Sequence, residues 1–420
     1  MFTTVRNAFK IPDLRKKLLY TLMMFVVIRL GAAIPVPGIN SEVMAQFFSG
    51  DNAFLGLMDA ITGGSLAQMT IFAMGVVPYI NASIIMNLLT IAIPKLEEMQ
   101  KDGEDGRKKL AKATRYLTVA LAAVQAFGIT FGFKNYGIFM YDSLWAYFIA
   151  IVALTAGTAF LMWCGERLTE NGIGNGMSLI IFVNIISRIP RDVRSVAASG
   201  EPITITIVTI LLLAMVAFVV LLQSGERRIP VQYAKRVTGR KVYGGQSTHI
   251  PMKVNTAGVI PIIFASSLLT FPTILTSFFG IDQSGTWGTI LHYLSYSESW
   301  TGAILYVLFI IFFAYFYTTI TFNPIEIGNN MKKNGGFIPG IRPGKPTTDY
   351  LVKVLNHVVF VGAVGLAVVA LVPIVLSAVF NVGQLLVGGT SLLIVVGVAL
   401  ESVKQIEAQM LMRHYTGFLN

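Results

Sequence analysis

Long apolar runs alternate with shorter polar segments along the whole chain, at about 17–33, 76–93, 110–131, 144–164, 177–189, 203–222, 254–277, 302–322, 351–377 and 384–403. Most are near the length at which a helix crosses a hydrocarbon core, about twenty residues. They are continuous rather than alternating residue by residue, which argues against a β-barrel. Inside lipid each backbone polar group needs an internal partner, so continuous apolar runs predict helices. The pattern therefore predicts an all-α polytopic membrane protein with ten transmembrane helices. The fifth run is short, with glycines before it and Pro190 after it. One more apolar stretch, DAITGGSLAQMTIFAMG at Asp59–Gly75, is broken by Gly63, Gly64 and Gly75 and followed by Pro78. It is apolar enough to enter the membrane and too broken to cross it.

Charge orients these runs. Twenty-seven of the 32 Lys and Arg residues fall in alternate connections. These are the N-terminal tail, the loops after runs two, four, six and eight, and the C-terminal end. Lys134, Arg188, Arg191 and Arg194 fall in the others, and Arg29 lies inside the first run. Basic residues are retained in the cytoplasm, so both termini are expected there. A miscounted run would scramble the alternation, which supports ten. Two sets of five runs would enter the membrane with opposite orientation, an inverted repeat of two pseudo-symmetric five-helix halves.

Composition adds little that is independent. The chain is 54% hydrophobic and 13% charged, with a net charge of +11 that the topology rule largely explains. Cys164 is alone, so no internal disulfide framework is expected. The first twenty residues read as an amphipathic basic segment without the small-residue cleavage site of a signal peptide.

Catalytic chemistry has little support. No HExxH, CxxC, GxSxG or Walker motif appears, and His249, His292, His357 and His414 are unpaired at helical spacing. No metal site, cofactor or catalytic residue is expected. The runs are nearly free of ionisable groups, which weakens an ion-coupled carrier. Arg29 is close enough to the outer end of its run to snorkel, while Glu401, Lys404 and His357 lie near inner ends.

Three features stand out. The small residues of Asp59–Gly75 would make shallow contacts, as suits either a supporting re-entrant segment or a movable one that blocks an aqueous path. The pairs Ile80/Ile84 and Ile181/Ile185 have helical spacing; alone they are ordinary packing faces, and around a pore they could form a dewetted constriction. Third, the basic loops 223–253 and 323–350 hold more structure than orientation needs. Thr238-Gly239 between YAKRV and RKVYG predicts a hairpin. The Pro and Gly of KKNGGFIPGIRPGKPTTDY predict a shaped loop rather than a helix. Cationic loops of this kind suit an anionic partner, RNA or an acidic protein surface. A secondary carrier with inverted repeats and a structural membrane scaffold remain alternative readings.

The motifs are more specific. They are IPVPGIN at Ile34–Asn40, FAMGVVPYINASII at Phe72–Ile85, DGRKKLAKATRY at Asp105–Tyr116 and ERLTENGIGNGMSLIIF at Glu166–Phe182. ERRIPVQYAKR at Glu226–Arg236, QSTHIPMKVNTAGVIPIIFASS at Gln246–Ser267, NPIEIGNNMKKNGGFIPGIRPGKPT at Asn323–Thr347 and GGTSLLIVVGVALE at Gly388–Glu401 follow in order. Together they resemble the SecY family of protein-conducting channels over nearly the whole chain.

The resemblance implies two five-helix halves around an hourglass pore and a channel rather than an enzyme. Such a channel would conduct unfolded polypeptides across the bacterial cytoplasmic membrane and release transmembrane segments into lipid between spans two and three and spans seven and eight. It implies a pore ring of Ile80, Ile84, Ile181, Ile185, Ile263 and Ile394. It implies a plug at 59–75 that includes Ile61, Gly63, Gly64, Ser65, Leu66, Ala67, Met69, Ile71 and Phe72. Partner docking would fall on Arg236, Arg240, Lys241 and Arg342. Lys241 stands where the family commonly has Arg; it keeps the charge and lacks the planar fork. Implied partners are the small membrane subunits SecE and SecG, the motor ATPase SecA, the ribosome, signal-bearing preproteins and membrane lipid. The expected organisation is an amphipathic N-terminal segment 1–16, a first half 17–189, an external hinge loop 190–202, a second half 203–403 and a cytoplasmic tail 404–420.

Overall fold

The structure is a computed structural model that describes residues 6, 8–40, 43–44, 59, 62–134, 137–199, 202–233, 236–238, 241–243, 247–279, 286–295, 299–380 and 389–416. Each of the ten apolar runs coincides with a helix. In chain order these are α1 (Pro12–Gly31), α2 (Val77–Ala92), α4 (Gly103–Gly132), α5 (Leu144–Asn171), α6 (Gly176–Ser199), α7 (Pro202–Ser224), α8 (Ile260–Phe279), α10 (Trp300–Thr321), α12 (Lys345–Phe380) and α13 (Gly389–Thr416). Shorter helices lie between them: α3 (Pro94–Lys101), α9 (Thr286–Leu294) and α11 (Pro324–Lys333).

Among the described residues, four stretches are long and apolar enough to cross a membrane by themselves: Gly103–Gly132, Leu144–Asn171, Trp300–Lys333 and Lys345–Val375. The pair α2 and α3, bent by 108° at Ile93–Pro94, counts as a fifth. Gly176–Pro190 and Thr209–Ser224 are shorter apolar helices among the described residues. The 16 residues of α2 span about 24 Å, less than the roughly 30 Å hydrocarbon layer. The chain is a multi-pass membrane protein.

Local chemistry explains the helix boundaries. Ser143 accepts the Trp145 N–H, Ser299 the Gly302 N–H, and Asn323 the N–H groups of Ile325 and Glu326, each capping a helix start. Asn175 caps α6 through the N–H groups of Met177 and Ser178. Several threonines inside the helices turn their hydroxyls back onto their own backbone, as Thr118 does on Thr114 and Thr318 on Ala314, at 2.7 Å each. Apolar surroundings therefore tolerate them.

The chain forms two compact units. One comprises Met1–Ile205, Ile274–Gln283 and Ser377–Asn420; the other comprises Thr206–Thr273 and Ser284–Leu376. The last helix, α13, thus packs with the first unit rather than with the second half of the sequence. It lies against α6, and its far end meets the start of α1. Ala8, Leu14, Ile173 and Ile406 are buried together there, and Lys17 donates to the Gln409 side chain at 3.5 Å.

Residues 190–199, expected as a loop, are helical. Pro190 lies inside α6 and the next helix begins at Pro202. Proline costs a helix one N–H donor and a steric clash, which packing on neighbours can outweigh. A second departure concerns the loop 323–350. Its first third is helix α11, started by the Asn323 cap and Pro324, where proline's missing donor costs nothing.

Candidate functional site

The broken segment folds as a chain of turns in the first unit, and helices α1, α4, α5 and α6 receive it. Its outgoing backbone pairs with the stretch after α1: the Val36 N–H donates to Met69 O and the Ile71 N–H to Ile34 O, both at 3.0 Å. A Cβ on Gly157 of α5 would lie 1.8 Å from the Ile71 carbonyl oxygen. One on Gly31 of α1 would lie 2.1 Å from the Phe72 ring. That ring stacks on Phe160 at 5.9 Å. At the other end, a Cβ on Gly63 would meet the Asn184 backbone of α6 at 2.8 Å. Gly63 and Gly64 turn the chain with φ of +71° and +86°, where side-chain-bearing residues are strained.

Shallow packing holds for only part of this segment. Gly63, Gly64 and Ser65 are buried but present almost no side chain. From Leu66 onward the segment is core. Leu66, Met69, Ala73 and Met74 are buried together with Ala122 and Ala126 of α4 and Ala150 and Leu154 of α5. Met69 is fully buried and Phe72 is 4% exposed, while Ala67 and Ile71 are half-buried. Ile61 lies outside the described residues. The correction is physical: the small residues cluster at one end, and the bulkier ones anchor the other.

Two charged groups that the topology count treated as peripheral turn inward. Arg188 Nη1 lies 3.3 Å from Asp59 Oδ2, with side-chain exposures of 18% and 8%. Arg29, expected to snorkel, reaches Asn184 Oδ1 at 3.5 Å. The available sequence signal is an acid opening an apolar segment and one of the bases around Pro190.

The isoleucines divide between the units. Ile181 and Ile185 on α6 and Ile394 on α13 are buried, and those two helices pack together. Ile84 on α2 is buried and Ile80 half-buried; α2 packs mainly on α4. Ile263, half-buried on α8, belongs to the second unit.

The second unit joins the two basic loops in one sheet. Strand β1 (Glu226–Tyr233) pairs antiparallel with β4 (Ser247–Lys253), from Glu226 opposite Lys253 to Gln232 opposite Ser247. Its other edge takes β5 (Gly336–Phe337) from the second loop, with Gln232 opposite Phe337. Pro230 sits where β1 has only β4 beside it, so its missing N–H breaks no ladder on the β5 side. Ile229 and Val231 point inward and are buried with Met252, Met331, Ile338, Leu351, Leu355 and Val359. Between β1 and β4, β2 (Arg236–Thr238) and β3 (Lys241–Tyr243) form the expected hairpin, with Thr238 opposite Lys241. Arg240 lies outside the described residues. Arg342 is exposed on a turn that its own carbonyl stabilises, accepting the Thr347 hydroxyl at 2.8 Å.

Comparison with known proteins agrees with this architecture. The SecY family model matches residues 70–403. A protein translocase subunit SecY from Halalkalibacterium halodurans is 47% identical over the full length of both chains. Among solved structures, one concerns a SecY protein whose plug domain stabilises the closed state of the translocation channel and maintains a membrane seal. It superposes with a TM-score of 0.65 at 19% identity, covering 94% of this chain and 92% of that one. Sec61 in the canine ribosome–channel complex from the endoplasmic reticulum gives 0.62 at 19% identity, with the same coverage. With the fold shared by those channels and a relative nearly half identical from end to end, the chain belongs to the SecY family.

Proposed function

We propose that this chain is the channel-forming subunit of a protein translocase, carrying unfolded polypeptides across the bacterial cytoplasmic membrane and releasing transmembrane segments into lipid. The full-length 47% identity to a protein translocase subunit carries this reading. The chemistry fits it. A conduit for arbitrary sequences needs apolar surfaces that hold no substrate tightly. The isoleucines Ile80, Ile84, Ile181, Ile185, Ile263 and Ile394 would form its narrow seal, since a dewetted constriction gives ions no hydration. The segment 59–75 would be the plug. Energy would come from a partner, SecA or an elongating ribosome, docked on the sheet-bearing face with Arg236, Arg240, Lys241 and Arg342. SecE and SecG would complete the membrane complex. That face is cytoplasmic under the charge rule, as are both termini, whose adjacent helix ends share one small core.

Two measurements test the reading. The complex in vesicles with its motor should move a signal-bearing, unfolded polypeptide into a protease-protected lumen. A folded, fully assembled complex that protects none would contradict the proposal. Deleting residues 61–73 should let the idle channel leak small ions in planar bilayers. An ion-tight deletion with verified folding would count against the plug.

A further inference from the structure

The segment 59–75 has an anchored end and a light end, and the light end is held by charge. Asp59 is the organising residue. Its Oδ1 accepts the Ala67 N–H at 2.8 Å, and its carbonyl accepts the Gly64 N–H at 2.9 Å and the Thr62 hydroxyl at 3.2 Å. Its Oδ2 faces Arg188 Nη1 at 3.3 Å. One carboxylate thus shapes the turn and fastens it to α6.

The position on α6 matters. Residues 181, 184, 185 and 188 fall at i, i+3, i+4 and i+7, one stripe of a helix. Ile181 and Ile185 belong to the proposed seal. Asn184 backs Gly63 and takes Arg29, and Arg188 takes Asp59. The same helix face therefore carries the seal and, one turn further along, the fastening. Residues 66–74 are committed to the core, whereas Gly63, Gly64 and Ser65 bring almost no side chain to it.

We propose that the Asp59–Arg188 pair latches the turn of Asp59 and Thr62–Ser65 onto α6 and thereby sets how strong a signal sequence must be to open the channel. This rests on the plug reading above. Both partners are largely shielded from water, where a charged contact is costly to weaken. Losing the latch raises the share of open channel at rest and lowers the demand on the client.

The test uses the complete complex with Asp59→Asn, Arg188→Gln and the double variant. Each single change should raise idle ion conductance by about tenfold or more, within what breaking a largely buried charged contact brings. Each should also admit clients whose signal sequences have a shortened apolar core. A fold defect would instead depress export of ordinary clients. The double variant should be no leakier than the worse single, because one contact is lost once. Asp59→Glu, which keeps the charge, should restore much of the seal. Ion-tight single variants beside a leaking 61–73 deletion would remove the latch and leave the plug. Additive effects in the double would show independent roles and overturn the pairing. Variants that fold poorly are judged by Asp59→Glu alone: full leak there refutes the charge latch.

Discussion

At the scale of single residues, absent side chains do as much as present ones. Gly157 lets α5 approach the Ile71 carbonyl so closely that a methyl group would sit 1.8 Å from its oxygen. The obstacle is backbone, so it cannot rotate away. Gly157→Ala should destabilise the protein by about 1–3 kcal/mol, as overpacking does. A lower Tm in detergent, with the helical content of the native protein, is the expected result. Gly31→Ala meets a Phe72 ring that can swing, so a smaller loss is expected. An equal loss at both sites would show that the backbone contact is not the cause. The Arg342 turn is a milder case. Thr347→Val removes the hydroxyl that holds its carbonyl, worth about 1 kcal/mol. Partner binding should weaken more than stability falls.

At the scale of elements, the sheet formed by β1, β4 and β5 shows where reading from sequence stops. Helix spans follow from uninterrupted apolar runs, and all ten were legible. The hairpin was legible too, because Thr238-Gly239 lies between two matching basic strands. The pairing of β1 with β5 was not. It joins residues about a hundred positions apart through two residues of a strand too short to show a period. The Asp59–Arg188 pair was hidden for a similar reason: charges at the ends of apolar runs read first as topology signals. Pro190 misled because proline stops an isolated helix more reliably than a packed one. Ile229→Ala in the buried face of β1 should cost about 2–5 kcal/mol. It should also loosen partner binding at the exposed edge, visible as a faster off-rate. Reversing Lys241 and Arg342 makes the complementary case. Stability and insertion should hold while partner binding falls and loses its salt dependence. Unchanged binding across salt concentrations would place docking elsewhere.

At the scale of the whole molecule, the division into units departs from the division of the sequence. The first unit claims α13, so chain order and packing disagree about where the last helix belongs. The core of Ala8, Leu14, Ile173 and Ile406 gives the reason: an apolar patch on the first helix's approach needs covering, and the end of α13 covers it. Side-specific labelling checks the ten-span orientation. A cysteine at Lys101 should react with an impermeant thiol reagent from the face that carries the sheet, and one at Lys134 from the opposite face. Labelling of both from one side would require an odd error in the count. The sheet has one more consequence. Strand β5 and helix α12 come from chain beyond residue 286, while β1 and β4 come from chain before residue 279, yet β5 pairs with β1 and α12 buries one core with β1 and β4. The covalent link between α8 and α9 is therefore dispensable for holding them together. Two separately synthesised fragments, divided between α8 and α9, should find each other and co-purify as a nicked but complete chain.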